Sequence, residues 1–417
     1  MQYERTNQML PGFALLGPDS EVGWEFATAD TQYLTHGLFP YPARLIPQIV
    51  HRLIAMYWTD SESGKICDVF CGSGTVLVES SLQGIPSIGV DTNPFAVLLA
   101  MAKTAVIDVT SFDAIKADLR NSLQTFDGNA LAEYVPAFTN LNHWFKPGVI
   151  AQLSHLRKAV ETVADEELRG IFKIAFAHAV MKSSNVDWKS SRYIRVMTEY
   201  KLQDHNPDAF TIFWGNIGDI EKRLTAYAKK KRAKVEVKNG DARSLPIGDS
   251  EIDLIVTSPP YGEERNTIPY VRWSKLFLLW LGFTQDEVKA LETKSLGGMS
   301  AKSITSTKIP SDTFWEAANK VSERRLAEAL PFMADYFVTL KEMQRILRPN
   351  SKACIVVGHR SMSRILIDMG KVTTELAEAA GMRHETTHYR SIPKKMIAWT
   401  GPTGDTMSEE SIVIVSK

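Results

Sequence analysis

Residues 65–91 read KICDVFCGSGTVLVESSLQGIPSIGVD, and their punctuation decides the fold. The stretch KICDVF (65–70) reads as a short apolar strand, CGSGT as a tight turn, and residues 76–83 as a helix. A second strand (85–91) follows at once, then a helix (94–104) entered through Pro94, a residue suited to a first helical turn. Two successive strand–helix units predict a parallel sheet in an α/β fold.

Upstream, residues 42–57 place Leu45, Ile46, Ile49, Val50, Leu53 and Ile54 at helical spacing, which predicts an amphipathic helix entered from the segment HGLFPYP (36–42). Downstream the rhythm changes. Residues 149–163, 168–181 and 207–230 are helical in pattern, and no strand signal interrupts 106–232. That region reads as a helical insertion between the second and third strands. Strands return at 235–239 and 252–256, then at 353–357 and 411–416, with helices at 270–281, 330–347 and 365–380. A polar, aperiodic stretch near 290–312 reads as a loop. Three regions are expected: 1–105, the helical insertion 106–232, and 233–417.

The bounds set by composition are ordinary. With 417 residues, 44% hydrophobic and 23% charged, the chain can bury a sizeable core. Its 48 basic and 48 acidic residues cancel, so a polyanion would have to be held by local patches. Cys67, Cys71 and Cys354 form neither a disulfide framework nor a zinc pattern, and the histidines show no metal-ligand spacing, so no metal is expected. The sparse cysteines point to a reducing cytoplasm, and the polar start MQYERTNQ and the lack of long apolar runs predict neither a signal peptide nor a membrane span.

Three strand ends carry chemistry. Gly72 and Gly74 allow backbone to approach a ligand closely, although a plain strand–helix turn explains them equally well. They lack the spacing and the Lys-Ser/Thr pair of a triphosphate-binding loop. Asp91 ends the second strand, where a carboxylate can accept from ribose hydroxyls or can cap a helix. Asp241, after the third strand, can accept from an adenine amine or serve as a turn aspartate. The fourth strand runs into TSPPYG (257–262), where two prolines stiffen the backbone. Ser258 and the Pro259 carbonyl then stand as acceptors beside the Tyr261 ring, a set suited to a flat base with an exocyclic amine. A structural strand end with an anchoring tyrosine is the competing explanation.

In their order, DVFCGSGT, GVDTNP, NGDA and TSPPY resemble the amino-group DNA methyltransferases. The resemblance covers residues 36–416 and implies a Rossmann-like, mostly parallel seven-stranded sheet with helices on both faces. It implies S-adenosylmethionine as cofactor, with Asp68, Phe70, Gly72 and Gly74 around its methionine part, Asp91 at the ribose and Asp241 at the adenine. It makes Ser258, Pro259, Pro260 and Tyr261 catalytic, and less securely brings residues 39–42 to the cofactor. The serine form of the tetrapeptide favours cytosine N4 over adenine N6 as the methylated amine.

The implied substrate is double-stranded DNA with the target base flipped out, in a restriction–modification system whose endonuclease would act separately. A monomer is compatible with this reading, which leaves the oligomeric state open. A cytosine-C5 enzyme would need a cysteine nucleophile, and none of the three cysteines fits. An RNA guanine-N2 methyltransferase and a non-catalytic nucleic-acid binder remain as alternatives. For DNA contacts the segment KSSNVDWKSSRYIR (182–195), with Lys189, Arg192 and Arg195, is preferred over the basic run 229–238. Lys302 in the polar loop is a further candidate.

Overall fold

The computed structural model describes residues 23–59, 61, 63–188, 194–230, 232–261, 270–298, 309–362, 365–392 and 409–417. Nine strands are found among them: β1 (Ile66–Asp68), β2 (Ser87–Asp91), β3 (Val235–Asn239), β4 (Ile252–Thr257), β5 (Leu347–Gly358), β6 (Arg360–Met362), β7 (Ile365–Ile367), β8 (Arg383–Ser391) and β9 (Glu409–Ser416). Seven form one sheet in the order β3-β2-β1-β4-β5-β9-β8, and β6 and β7 pair separately. The first five are parallel, whereas β9 lies antiparallel to both β5 and β8. The expected mostly parallel, seven-stranded α/β sheet is therefore present.

Apolar runs occur in the central strands because both faces are covered. Leu254, Val256, Cys354, Val356, Ile412 and Ile414 face the helix Pro47–Tyr57. Their alternates Ile255, Ile355, Val357, Val413 and Val415 face the helices Glu323–Ile346 and Met369–Ala379. The helices of 106–232 do not form a separate body. Phe172, Phe176 and Phe213 share one core with Phe39, Phe95, Leu99, Trp273 and Phe277, so the expected insertion is packed against the helices Pro94–Thr104 and Tyr270–Trp280.

Several boundaries differ from expectation. The first helix begins at Pro47 instead of 42, with that proline in its first turn. The helix expected over 365–380 is split into β7 and Met369–Ala379, because the Asp368 carboxylate caps the Lys371 amide and starts the helix there. Strand β8 (RHETTHYRS) was not expected, since an edge strand with polar side chains lacks an apolar signature. The helix Gln285–Lys294, started by a Thr284/Glu287 capping box, was also missed. Among the described residues no helix is long and apolar enough to cross a membrane.

One buried carboxylate pins the amino-terminal segment to the sheet. Glu79, fully buried in the helix Thr75–Leu82, accepts hydrogen bonds from the Tyr33 hydroxyl, from His36 Nε2 at 2.8 Å and from His51 Nδ1 at 3.1 Å. Burial alone would push its carboxyl up, but the two imidazoles hold it down at about 2. His36 is thus a structural donor. Glu79→Ala leaves the buried His36 Nε2 without its acceptor and should cost about 3 kcal/mol of unfolding free energy, measured by urea denaturation.

Candidate active site

The carboxyl ends of β1, β2 and β4 open into one cleft of about 1030 Å³, its mouth included. Open parallel sheets bind ligands at this edge because the strand ends and the following helix amino termini leave polar backbone free there. Asp68, Phe70, Gly72, Asp91, Asp241 and Ser258 line the cleft together, although 68–91 lies far from 240–260 along the chain.

The glycine turn is built by its backbone. Gly72 and Gly74 take φ of +46° and +79°, a region that side-chain-bearing residues rarely adopt. Gly74 also caps the helix Thr75–Leu82, and a Cβ there would stand 3.0 Å from the Ala100 Cα. The turn is tied to β2 by Asp91, whose Oδ2 accepts the Gly72 amide at 2.9 Å while Oδ1 accepts the Asn93 amide at 2.8 Å. Each oxygen keeps a second lone pair for a ligand hydroxyl. Burial pushes Asp91 up to about 6, against the pull of these two amides.

Asp68 is buried behind the turn. Its Oδ1 accepts the Thr257 hydroxyl at 2.7 Å and the Phe70 amide at 3.1 Å, joining the end of β1 to the end of β4. Burial pushes its carboxyl up to about 7.

Asp241 is held by a neighbour that sequence reasoning missed. Arg243 donates from Nε to Oδ1 at 3.0 Å and from Nη2 to Oδ2 at 2.7 Å, while its Nη1 reaches Asp335 at 2.9 Å and its Nη2 the Lys294 carbonyl at 2.9 Å. Burial pushes Asp241 up, but these bonds outweigh it and hold the carboxyl below its ordinary value. The Asp-x-Arg spacing in NGDAR was the available signal. Through Arg243 the cleft wall from residues 294–296 is anchored to the turn that carries Asp241.

The Pro-Pro turn leaves β4 at the cleft floor. Ser258 and Pro260 line the cleft, whereas Pro259 is buried. The Ser258 hydroxyl lies 3.0 Å from the Val356 carbonyl, which accepts its proton, so its lone pairs are left available. The Tyr261 hydroxyl donates to Glu410 at 2.9 Å; burial and the Glu410 charge push the phenol well up, which keeps the proton in place. Such anchoring is the competing explanation weighed for this tyrosine, and Tyr261 is not among the residues that line the cleft. Tyr41 lines the cleft and stacks with Tyr270 at 6.1 Å, whereas Phe39 is in the core. Cys71 also borders the cleft, and burial pushes its thiol well up, so it stands as a thiol and not as a thiolate nucleophile.

Of the residues expected to touch nucleic acid, Arg195 is exposed and its carbonyl accepts the Asp187 amide at 2.8 Å. Lys189, Arg192 and Lys302 lie outside the described residues. Among the described residues no group of three His, Cys, Asp or Glu could hold a metal ion.

The Asp68 value has a testable consequence. An aspartate raised to about 7 in the folded chain binds a proton that the unfolded chain, near 3.9, has already released. Wild type should therefore lose stability relative to Asp68→Asn as pH rises from about 4 to about 7. Urea denaturation across that range measures it, and a constant difference contradicts the assignment.

No family model matches the sequence. The type II methyltransferase M.MvaI of Kocuria varians is 28% identical over 418 residues, covering 94% of this chain and 91% of that protein. The type II methyltransferase M.MjaII of Methanocaldococcus jannaschii is 36% identical over 94 residues, 22% of this chain and 17% of that one. Solved structures of a SAM-dependent methyltransferase from Methanosarcina mazei (11% identity, 86% of this chain and 93% of that one, TM-score 0.29) and of the rRNA methyltransferase aviRa from Streptomyces viridochromogenes (11%, 90% and 86%, TM-score 0.30) overlay too loosely to carry an argument. The fold rests on the sheet order, and over most of its length the chain is similar to the type II methyltransferase M.MvaI.

Proposed function

We propose that this protein transfers a methyl group from S-adenosylmethionine to the exocyclic N4 amine of cytosine in double-stranded DNA, as the modification activity of a restriction–modification system in the cytoplasm. The observation that carries the reading is the convergence of Ser258 and Pro260 with the glycine turn, Asp91 and Asp241 in one cleft. Similarity to type II methyltransferases along the chain supports the same substrate class.

When bound, S-adenosylmethionine supplies an electrophilic methyl group on a sulfonium. The residues around it divide the work. Asp68, Phe70, Gly72 and Gly74 would surround its methionine part, where two positive-φ glycines let backbone come close. Asp91 accepts from the ribose hydroxyls with the lone pairs that the two amides leave free. Asp241, fixed by Arg243, accepts from the adenine amine.

The acceptor amine is a poor nucleophile because its lone pair is delocalised into the ring. Ser258 Oγ and the Pro259 carbonyl would accept hydrogen bonds from its two N–H groups and favour the pyramidal nitrogen needed for in-line attack; the new N–C bond replaces the methyl's bond to sulfur, and one N–H proton is then lost to solvent. The stiff proline pair holds these acceptors in place before the base arrives. A paired cytosine hides its amine, so the base must leave the duplex, and Tyr261 supplies the ring against which it stacks. The helices within 106–232 form the proposed DNA-reading region, with Arg195 on its exposed surface.

Mass spectrometry of nucleosides from duplex DNA incubated with the protein and S-adenosylmethionine is expected to detect N4-methylcytosine. N6-methyladenine would instead correct the base, and the absence of any methylated nucleoside would overturn the reading. Ser258→Ala should lower the rate of transfer by roughly 10- to 100-fold while cofactor affinity stays within about twofold, read by single-turnover kinetics and calorimetry.

A further inference from the structure

Glu410 and Arg390 form a buried ion pair at the same edge of the sheet as the Pro-Pro turn. They face each other across β8 and β9, with relative exposures of 9% and 4%, and Arg390 Nη1 donates to Glu410 Oε2. Burying two charges is expensive, and a well-packed apolar pair often serves stability better. The β8–β9 register runs through seven other residue pairs, so strand pairing alone does not explain this one.

The pair's second partner does. Glu410 Oε1 accepts the Tyr261 hydroxyl at 2.9 Å, and that hydroxyl lies 3.4 Å from Ser258 Oγ. Ser258 in turn donates to Val356 on β5. Glu410 also sits opposite Gly358, the last residue of β5, so the carboxylate is aimed from β9 across the end of β5 at the turn leaving β4. One end of the Tyr261 side chain is fixed by the prolines and the other by Glu410. Arg390 holds the carboxylate in the geometry that accepts the phenol.

We propose that Glu410, oriented by Arg390, is a positioning residue that holds Tyr261 and Ser258 in their working geometry. This rests on the reading of the turn as the methyl-transfer site. A ring anchored at both ends is placed before the base enters, so its orientation is not lost to rotation during transfer. A phenol released from Glu410 would leave the cofactor site intact and would misplace the acceptor amine.

The test compares Glu410→Ala, Glu410→Gln, Tyr261→Phe and the double variant Glu410→Ala/Tyr261→Phe in methyl transfer to duplex DNA. Glu410→Ala and Tyr261→Phe should each lower kcat roughly tenfold with the KM for S-adenosylmethionine within about twofold. The double variant should be no slower than the slower single variant, because both remove the same hydrogen bond. Glu410→Gln, whose amide oxygen still accepts, should recover most of the rate. Effects that multiply in the double variant, or a loss confined to cofactor KM, would overturn the inference. If Glu410→Ala does not fold, Tyr261→Phe still decides, since it leaves the ion pair whole; an unchanged kcat there overturns the proposal. A wild-type protein that transfers no methyl group defeats the underlying reading and this inference together, whereas an active wild type with unaffected variants defeats this inference alone.

Discussion

The Asp91 carboxylate is the interaction on which the cleft depends. By accepting the amides of Gly72 and Asn93 it joins the turn after β1 to the start of the helix after β2. A glycine turn with positive φ at two positions loses much backbone entropy on ordering, and a charge-assisted acceptor offsets part of that loss. Asp68 and Thr257 make the corresponding link from β1 to β4. Two carboxylates thus set the relative positions of three strand ends, and every group assigned to cofactor or base is carried by one of those ends or by the turn after β3.

Burial raises both carboxyls, Asp68 to about 7 and Asp91 to about 6, while the amide and hydroxyl donors of the turns pull them back down. This arrangement suits a site that receives a ligand with hydroxyl and amine donors. The ligand's donors find acceptors already oriented by backbone amides, and little reorganisation is needed on binding.

Much of the sheet was legible because parallel strands covered on both faces need continuous apolar runs, and such runs are visible at 252–256, 353–357 and 411–416. The meeting of Gly72, Asp91, Asp241 and Ser258 in one cleft was legible because they sit at strand ends, where local punctuation marks them. Strand β8 was not, since an edge strand of mixed polarity looks like a loop. Arg243 and Glu410 were missed for a different reason. Their roles arise from contacts with Asp335, Lys294, Arg390 and Tyr261, and the partners of Glu410 are brought together only by the strand order β4-β5-β9-β8. The helical content of 106–232 was readable too, but its shared core with Phe39, Phe95 and Trp273 was not.

The central claim is that three strand ends form a single site for S-adenosylmethionine. Isothermal titration calorimetry of that cofactor into the purified protein tests it without relying on DNA or turnover. The account predicts one site per chain, with affinity weakened at least tenfold in Asp91→Ala because the ribose acceptor and the Gly72 anchor are lost together. Absence of binding, or equal affinity in wild type and Asp91→Ala, would contradict it.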